Sequence, residues 1–205
     1  MTHKARVAVL VSGGGTNLQA ILDASARGEI PHGEVVLVVS NKADAYALTR
    51  ARNAGVEGVT LLKKELGGQA GFEAALSALL AEKKIDLIVL AGFLSILSAD
   101  FVNAWPRRIL NVHPSLIPSF CGAGFYGLKV HEAALEKGVK VTGATVHFVN
   151  EIPDGGEILY QKAVRVLPND TPEKLQKRVM RQAEWKLLPL AVETVSKEIT
   201  EEIKF

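Results

Sequence analysis

The sequence predicts an α/β fold: a Rossmann-like, mostly parallel sheet with helices on both faces, turning mixed in its C-terminal half. Three observations predict it. Apolar β-branched runs alternate with amphipathic stretches through the first half, the pattern of parallel strands buried on both faces. Three glycines follow the first run and open a helix, as they do where α/β folds hold phosphates. Beyond residue 140 two alternating segments are joined by a tight turn, which makes an antiparallel pair.

Taken in order, Arg6 to Val11, Glu34 to Ser40, Gly58 to Leu62 and Asp86 to Leu90 read as strands. Asn17 to Arg27, Ala45 to Ala54 and Gly71 to Lys83 place Ala, Leu and Ile at helical spacing and supply the crossovers. Ile109 to His113 is a fifth strand. The Gly, Ser and Pro rich stretch from Pro114 to Gly127 has no periodicity, and a loop of that length inside a domain is usually functional. A helix from Leu128 to Lys137 precedes strands Val141 to Val149 and Glu157 to Val166. Pro172 to Val195 is a closing helix with an expected break near Pro189. The charged SKEITEEIKF ends the chain as a short last strand or a frayed tail.

At 205 residues the chain reads as a single domain, 1–205, with a phosphate-binding half (1–110) and a catalytic half (111–205). With 48% hydrophobic and 22% charged residues it is of ordinary globular composition. A net charge of +2 is too small for a protein driven onto nucleic acid by phosphate neutralisation, so the expected partners are small molecules. The single cysteine, Cys121, fits a reducing compartment, and no segment is long and apolar enough for a membrane span. The expected location is cytoplasmic, as a monomer or homodimer.

Two constellations carry chemistry. In VLVSGGGTNLQAIL the turn leaves backbone N–H groups free at a helix start, where an anion binds. Leu18 stands where a dinucleotide fingerprint needs its third glycine, and no Lys-Ser/Thr follows the turn, so a phosphate monoester fits better than NAD or a nucleoside triphosphate. A tight turn without a ligand is the plainer reading. Asn111 and His113, two apart at the end of a strand, share one face. Acyl transfer to an amine passes through an oxyanion and needs a donor such as Asn111 and a proton carrier such as His113. Asp154, in the turn of NEIPDGGEIL, could pair with His113. A hydrogen-bonded core histidine and ordinary turn chemistry before Gly-Gly are the alternatives. Both His131 and His147 read as structural, one on an Ala and Leu helix and the other in an apolar strand, and Trp105 and Trp185 read as core.

SGGGTNLQAI, SNKADA, AGFLSIL, NVHPSLIPSF, VHFVNEIPDGGEIL and AEWKLLPL, in this order and spacing, resemble the glycinamide ribonucleotide formyltransferase family over almost the whole chain. The resemblance implies the formyltransferase fold, 10-formyltetrahydrofolate as formyl-donating cosubstrate, glycinamide ribonucleotide as acceptor, a place in purine biosynthesis, and no metal. It implies Asn111, His113 and Asp154 as the catalytic trio, with His113 as proton donor and Asp154 raising its pKa. Gly15, Thr16 and Asn17 become phosphate ligands and Glu184 a ligand of the ribonucleotide. Phe93, Leu94, Ser95, Ile96 and Leu97, with Asn111 and Asn150, Glu151, Ile152, Pro153 and Asp154, become the folate pocket. Gln69 stands where many members have an arginine near the folate tail. The loop after His-Pro-Ser is a few residues longer than the family form, and the segment between Arg178 and Pro189 is about one residue longer, which bears on the register of Glu184. Other formyl-handling enzymes share Asn-x-His-Pro-Ser. The methionyl-tRNA enzyme and the folate deformylase are expected to carry a further domain that 205 residues do not hold. The sugar-nucleotide formyltransferases remain in the same class. A non-catalytic nucleotide-binding module is the remaining alternative, and the intact trio argues against it.

Overall fold

Every second residue of the first strand meets a different hydrophobic core, and that alternation organises the molecule. In the computed structural model, which describes residues 3–202, the chain order is β1 (Ala5–Val11), α1 (Thr16–Ala26), β2 (Gly33–Ser40), α2 (Tyr46–Asn53), β3 (Glu57–Thr60), α3 (Gln69–Glu82), β4 (Leu87–Leu90) and α4 (Ala99–Asn103). β5 (Ile109–His113), α5 (Leu128–Glu136), β6 (Val141–Phe148), β7 (Ile158–Arg165), α6 (Pro172–Val179), a π-helical turn (Met180–Glu184) and α7 (Trp185–Glu202) follow. Val7, Val9 and Val11 of β1 pack into a core with Leu18 and Ile21 of α1 and Leu188, Val192 and Ile199 of α7. Ala8 and Leu10 face the other way, into a core with Phe72, Leu76 and Leu80 of α3 and Phe101 of α4. Burying one such large side chain contributes roughly 1.5–3 kcal/mol.

The seven strands run in the order β3-β2-β1-β4-β5-β6-β7. β1 to β5 are parallel, and β6 and β7 add antiparallel to the edge. The sheet is thus mostly parallel and mixed at its C-terminal end, as the sequence predicts. The chain leaves β1 toward β2 and later returns to its other side at β4, so the crevice beyond β1 and β4 is the switch point where α/β sheets bind ligands. Among the described residues no helix is long and apolar enough to cross a membrane.

Three features differ from expectation. α4 is too short for a helical period to show, and its signal is local: the Ser98 side chain caps the Phe101 N–H. The break in the closing helix lies at Met180–Glu184, not at Pro189, which sits buried inside α7. The missing N–H and the ring of Pro189 act on the Trp185 carbonyl four residues back, and α7 continues through them. Residues 196–202 are neither strand nor frayed tail but the last turns of α7, because Val195, Ile199 and Thr200 repeat at helical spacing and are buried. The remaining positions of the charged ending, 203–205, lie outside the described residues.

Candidate active site

The glycine loop leaves β1 and enters α1 through Gly15, whose φ of 70° is left-handed. A Cβ there would lie 2.6 Å from Ala47 Cβ, so glycine is required on two counts. Arg50 of α2 fastens the loop from outside, donating from Nε to the Gly14 carbonyl at 2.8 Å and from Nη1 to Gln19 Oε1 at 2.9 Å. No side chain caps the first turn of α1, which leaves its N–H groups open to an anion. Behind Thr16, the Asn17 amide donates to Glu184 Oε2 at 2.8 Å. Glu184 is 6% exposed. Burial pushes its carboxyl up to about 7, against the pull of the Asn17 hydrogen bond. The five-residue π turn, wider than an α-helical turn, ends at Glu184 where that side chain meets α1.

At the end of β5, Asn111 and His113 face the same side and both approach Asp154. His113 Nδ1 lies 3.4 Å from Asp154 Oδ2, and Asn111 Nδ2 lies 3.4 Å from Oδ1. Asp154 has a φ of 56°, a left-handed backbone that aspartate adopts more readily than most residues, and Oδ2 also accepts from the Gly122 N–H at 2.8 Å. Desolvation works to raise the Asp154 carboxyl, but His147, the Gly122 N–H and the charge of His113 outweigh it and hold the group below its ordinary range. For His113 the balance goes the other way. Burial lowers its pKa, and the Asp154 charge and the bond to the Phe120 carbonyl recover only part of the fall. The expectation that Asp154 raises the pKa of His113 therefore holds for that pair alone, not for the sum.

His147 belongs here too, where the sequence reading made it structural. Antiparallel pairing sets it directly opposite Asn111. Its Nε2 is 3.1 Å from Asn111 Nδ2 and 3.5 Å from Asp154 Oδ1. Nδ1 lies 2.8 Å from the Phe148 carbonyl, which holds the ring in this orientation. A register shift between Val146 and His147 marks a bulge at this point, a common device for aiming a side chain beside a site. The available signal was strand alternation in VTGATVHF combined with the facing Asn111, which needs the pairing register.

His113 Nε2 is 2.8 Å from the Phe120 carbonyl, in the loop from Pro114 to Gly127, where Phe120 has a strained φ of 51°. That loop contains no helix or strand, as expected. Thr145 anchors its base, donating to the Ser115 carbonyl at 2.7 Å and accepting from the Ile117 N–H at 3.1 Å. Burial and the nearby Asp154 charge push the Cys121 thiol up, the reverse of an activated nucleophile.

Two cavities meet at this cluster. A larger one, about 620 Å³, runs from Thr16, Asn17 and Glu184 past Asn111, His113 and Asp154 to Gly122–Gly127, and its other wall is Gly92 to Ile96, of which it shares Phe93, Ser95 and Ile96 with the smaller one. A smaller one, about 120 Å³, lies between the segment after β4, including Phe93 and Ser95 to Leu97, and Asn150 to Asp154. Leu94, Ile96 and Ile152 beside it are 57%, 69% and 60% exposed, apolar surface of the kind a flat ring covers. The Asn150 side chain holds its loop by accepting from the Ile152 N–H and donating to the Gly155 carbonyl. Leu94 N donates to Ser12 Oγ, and Asn41 Nδ2 donates to Ser95 Oγ, so the walls are tied to β1 and β2. Gln69 lines neither cavity. It receives a hydrogen bond from Lys63 and donates to Glu73 and, at 3.1 Å, to the Ile96 carbonyl, bracing the wall from behind.

Residues 5–192 match the family model described as formyl transferase. The chain is 41% identical over 187 residues to the phosphoribosylglycinamide formyltransferase of Haemophilus influenzae, covering 91% of this chain and 85% of that one. The chain belongs to the phosphoribosylglycinamide formyltransferase family. A relative named chloroplastic, from Arabidopsis thaliana, is 43% identical over 204 residues, covering 99% of this chain and 68% of the relative. A trifunctional purine biosynthetic protein of Gallus gallus matches at 46% over 195 residues, 95% of this chain, but the chain spans only 19% of that protein's length. The crystal structure of a glycinamide ribonucleotide transformylase from Symbiobacterium toebii superposes with a TM-score of 0.89 at 43% identity, covering 97% of this chain and 90% of that one. The formyltransferase fold expected from the sequence is the fold observed.

Proposed function

We propose that Asn111, His113 and Asp154 transfer the formyl group of 10-formyltetrahydrofolate, the donor this family uses, to the amine of glycinamide ribonucleotide. Family membership makes the chain a formyltransferase of purine biosynthesis. The proposal adds which residues hold which substrate. The observation that carries it is the Asp154 carboxylate, set between His113 and Asn111 where the two cavities meet.

The acceptor occupies the larger cavity. Its phosphate lies at Gly15, Thr16 and Asn17, where the α1 dipole and free N–H groups favour an anion, and Glu184 takes the ribose side. Phe93 to Leu97 and Asn150 to Asp154 enclose the pterin ring of the folate, with Gln69 supporting the wall. The amine attacks the formyl carbon, the C–N bond to the folate breaks, and the proton lost by the amine reaches the departing folate nitrogen. His113 carries that proton on Nε2, so the substrate displaces the Phe120 carbonyl that holds this nitrogen in the free protein. Protonated His113, with Asn111 beside it, stabilises the oxyanion as it forms. Asp154 balances the charge on His113 while the proton is in transit. We place the protein in the cytoplasm, a reducing compartment suited to the free thiol of Cys121.

The test is to supply purified protein with each substrate alone and with both. Tetrahydrofolate release is expected only with both, and release without the acceptor would favour a deformylase. His113→Ala and Asp154→Asn are each expected to lower turnover about a hundredfold or more. Near-parental turnover in either variant removes that residue from the mechanism.

A further inference from the structure

One wall of the larger cavity is left unused by the formyl-transfer reading. His131 of α5 is 0% exposed, and neither ring nitrogen has a hydrogen-bond partner among the described residues. Leaving a buried donor and acceptor unpaired is costly, and folded proteins keep such groups where they serve something else. Its neighbours along the helix, Val130 and Ala134, are buried and apolar, so packing alone is met better by leucine. The ring borders the larger cavity together with Gln176 and Met180 and does not border the smaller one. It is close enough to His113 for the two charges to repel. Burial and that repulsion bring its pKa down to about 4, so the ring is neutral near pH 7 and offers one donor and one acceptor.

We propose that His131 is a specificity residue for the acceptor, pairing a ring nitrogen with the amide group of glycinamide ribonucleotide. The attacking amine of that substrate has to stand beside His113 and Asn111 to react. Its amide lies one methylene further on, and it presents a carbonyl acceptor and an N–H donor. A neutral imidazole beside His113 can meet either one, with its N–H or with its bare nitrogen, in the cavity that holds Glu184 and the phosphate loop. A cation would offer two donors, and a leucine would offer none. Substrate binding thereby satisfies a group that the free protein leaves unpaired, which rewards an acceptor carrying an amide over one that lacks it.

The inference rests on the acceptor occupying the larger cavity, and one set of assays separates the two ideas. His131→Leu, His131→Gln and Glu184→Ala are each assayed with the acceptor varied and then with the folate varied, alongside thermal melts. For His131→Leu the expected result is a melting temperature at or above the parent's, an acceptor KM raised about tenfold or more, and an unchanged folate KM. His131→Gln keeps one donor and one acceptor, and its acceptor KM is expected to rise by a smaller factor. An unchanged acceptor KM in His131→Leu overturns the proposal, as does a joint rise of both KM values with a lower melting temperature. If the Leu variant does not fold, the Gln variant decides: an acceptor KM equal to the parent's overturns the proposal. Glu184→Ala with an unchanged acceptor KM overturns the compartment itself. A raised value there, with His131→Leu unaffected, removes His131 alone.

Discussion

Glu184 shows how one buried carboxyl ties stability to substrate binding. Its ordinary pKa of 4.5 rises to about 7 in the folded protein, because burial disfavours the charged form by more than the Asn17 amide restores. An acid with a raised folded pKa contributes stability that is fully present below its unfolded value and is lost as pH rises through the folded one. The window here runs from about 4.5 to 7. Thermal melts across pH 4 to 9 are therefore expected to show the parent protein losing stability between about pH 4.5 and 7 and levelling off above, a fall that Glu184→Gln lacks because it cannot ionise. Parallel curves for the two proteins would mean that Glu184 is already ionised in the fold at low pH. The same residue shows why the sequence reading stopped where it did. NVHPS and PDGG could be located because their spacing along the chain is their signature. That Glu184 touches Asn17, 167 positions away, depends on a helix register that spacing alone does not fix.

Elements placed those residues, and their signals differed in strength. The first four strands and the three crossover helices between them were legible to within a residue or two, since a strand buried on both faces is an unbroken apolar run. His147 was not legible as a site residue, because an apolar strand with one histidine looks the same whether that histidine faces a core or a catalytic aspartate. Only its register against Asn111 in β5 decides. The π turn lies in the segment, Arg178 to Pro189, where the resemblance implies about one residue more than the family form. A helix must absorb such a residue by widening one turn or by rotating everything beyond it. Here the turn widens at Met180–Glu184, so α6 and α7 both keep their buried faces. Gln182 lies in that turn and is exposed, so its deletion removes no core side chain. The deletion variant is expected to return to a continuous α-helix, to melt at a higher temperature than the parent, and to keep its acceptor KM. An acceptor KM raised tenfold, about 1.4 kcal/mol, would show instead that the widened turn itself aims Glu184.

At the scale of the whole molecule, the question is whether the phosphate-binding and catalytic halves are separable. We propose that residues 1–205 form a single folding unit, because the boundary near residue 110 crosses the sheet rather than a linker. It falls inside β5, and β4 pairs in parallel with that strand on both sides of it, from Ile109 to Asn111. α7, from the catalytic half, packs on α1 and on β1 and β2 of the other half, and one core takes Val7, Val9 and Leu18 from the first together with Leu188, Val192 and Ile199 from the second. Separating the halves would expose all of that surface at once, so neither has a stable state without the other. Each half carries one tryptophan, Trp105 after α4 and Trp185 at the start of α7, which gives a probe of each. Trp105 packs against the core on the α3 face, and Trp185 borders a surface cavity beside α1. In Trp105→Phe and Trp185→Phe variants, fluorescence reports the remaining half alone while far-UV circular dichroism reports the whole. The expected outcome in urea is one transition per variant, with fluorescence and dichroism midpoints coinciding. Midpoints that separate, with Trp185 reporting loss of structure before the sheet signal falls, would mean that the catalytic half opens on its own and that the domain is divided where the chemistry is.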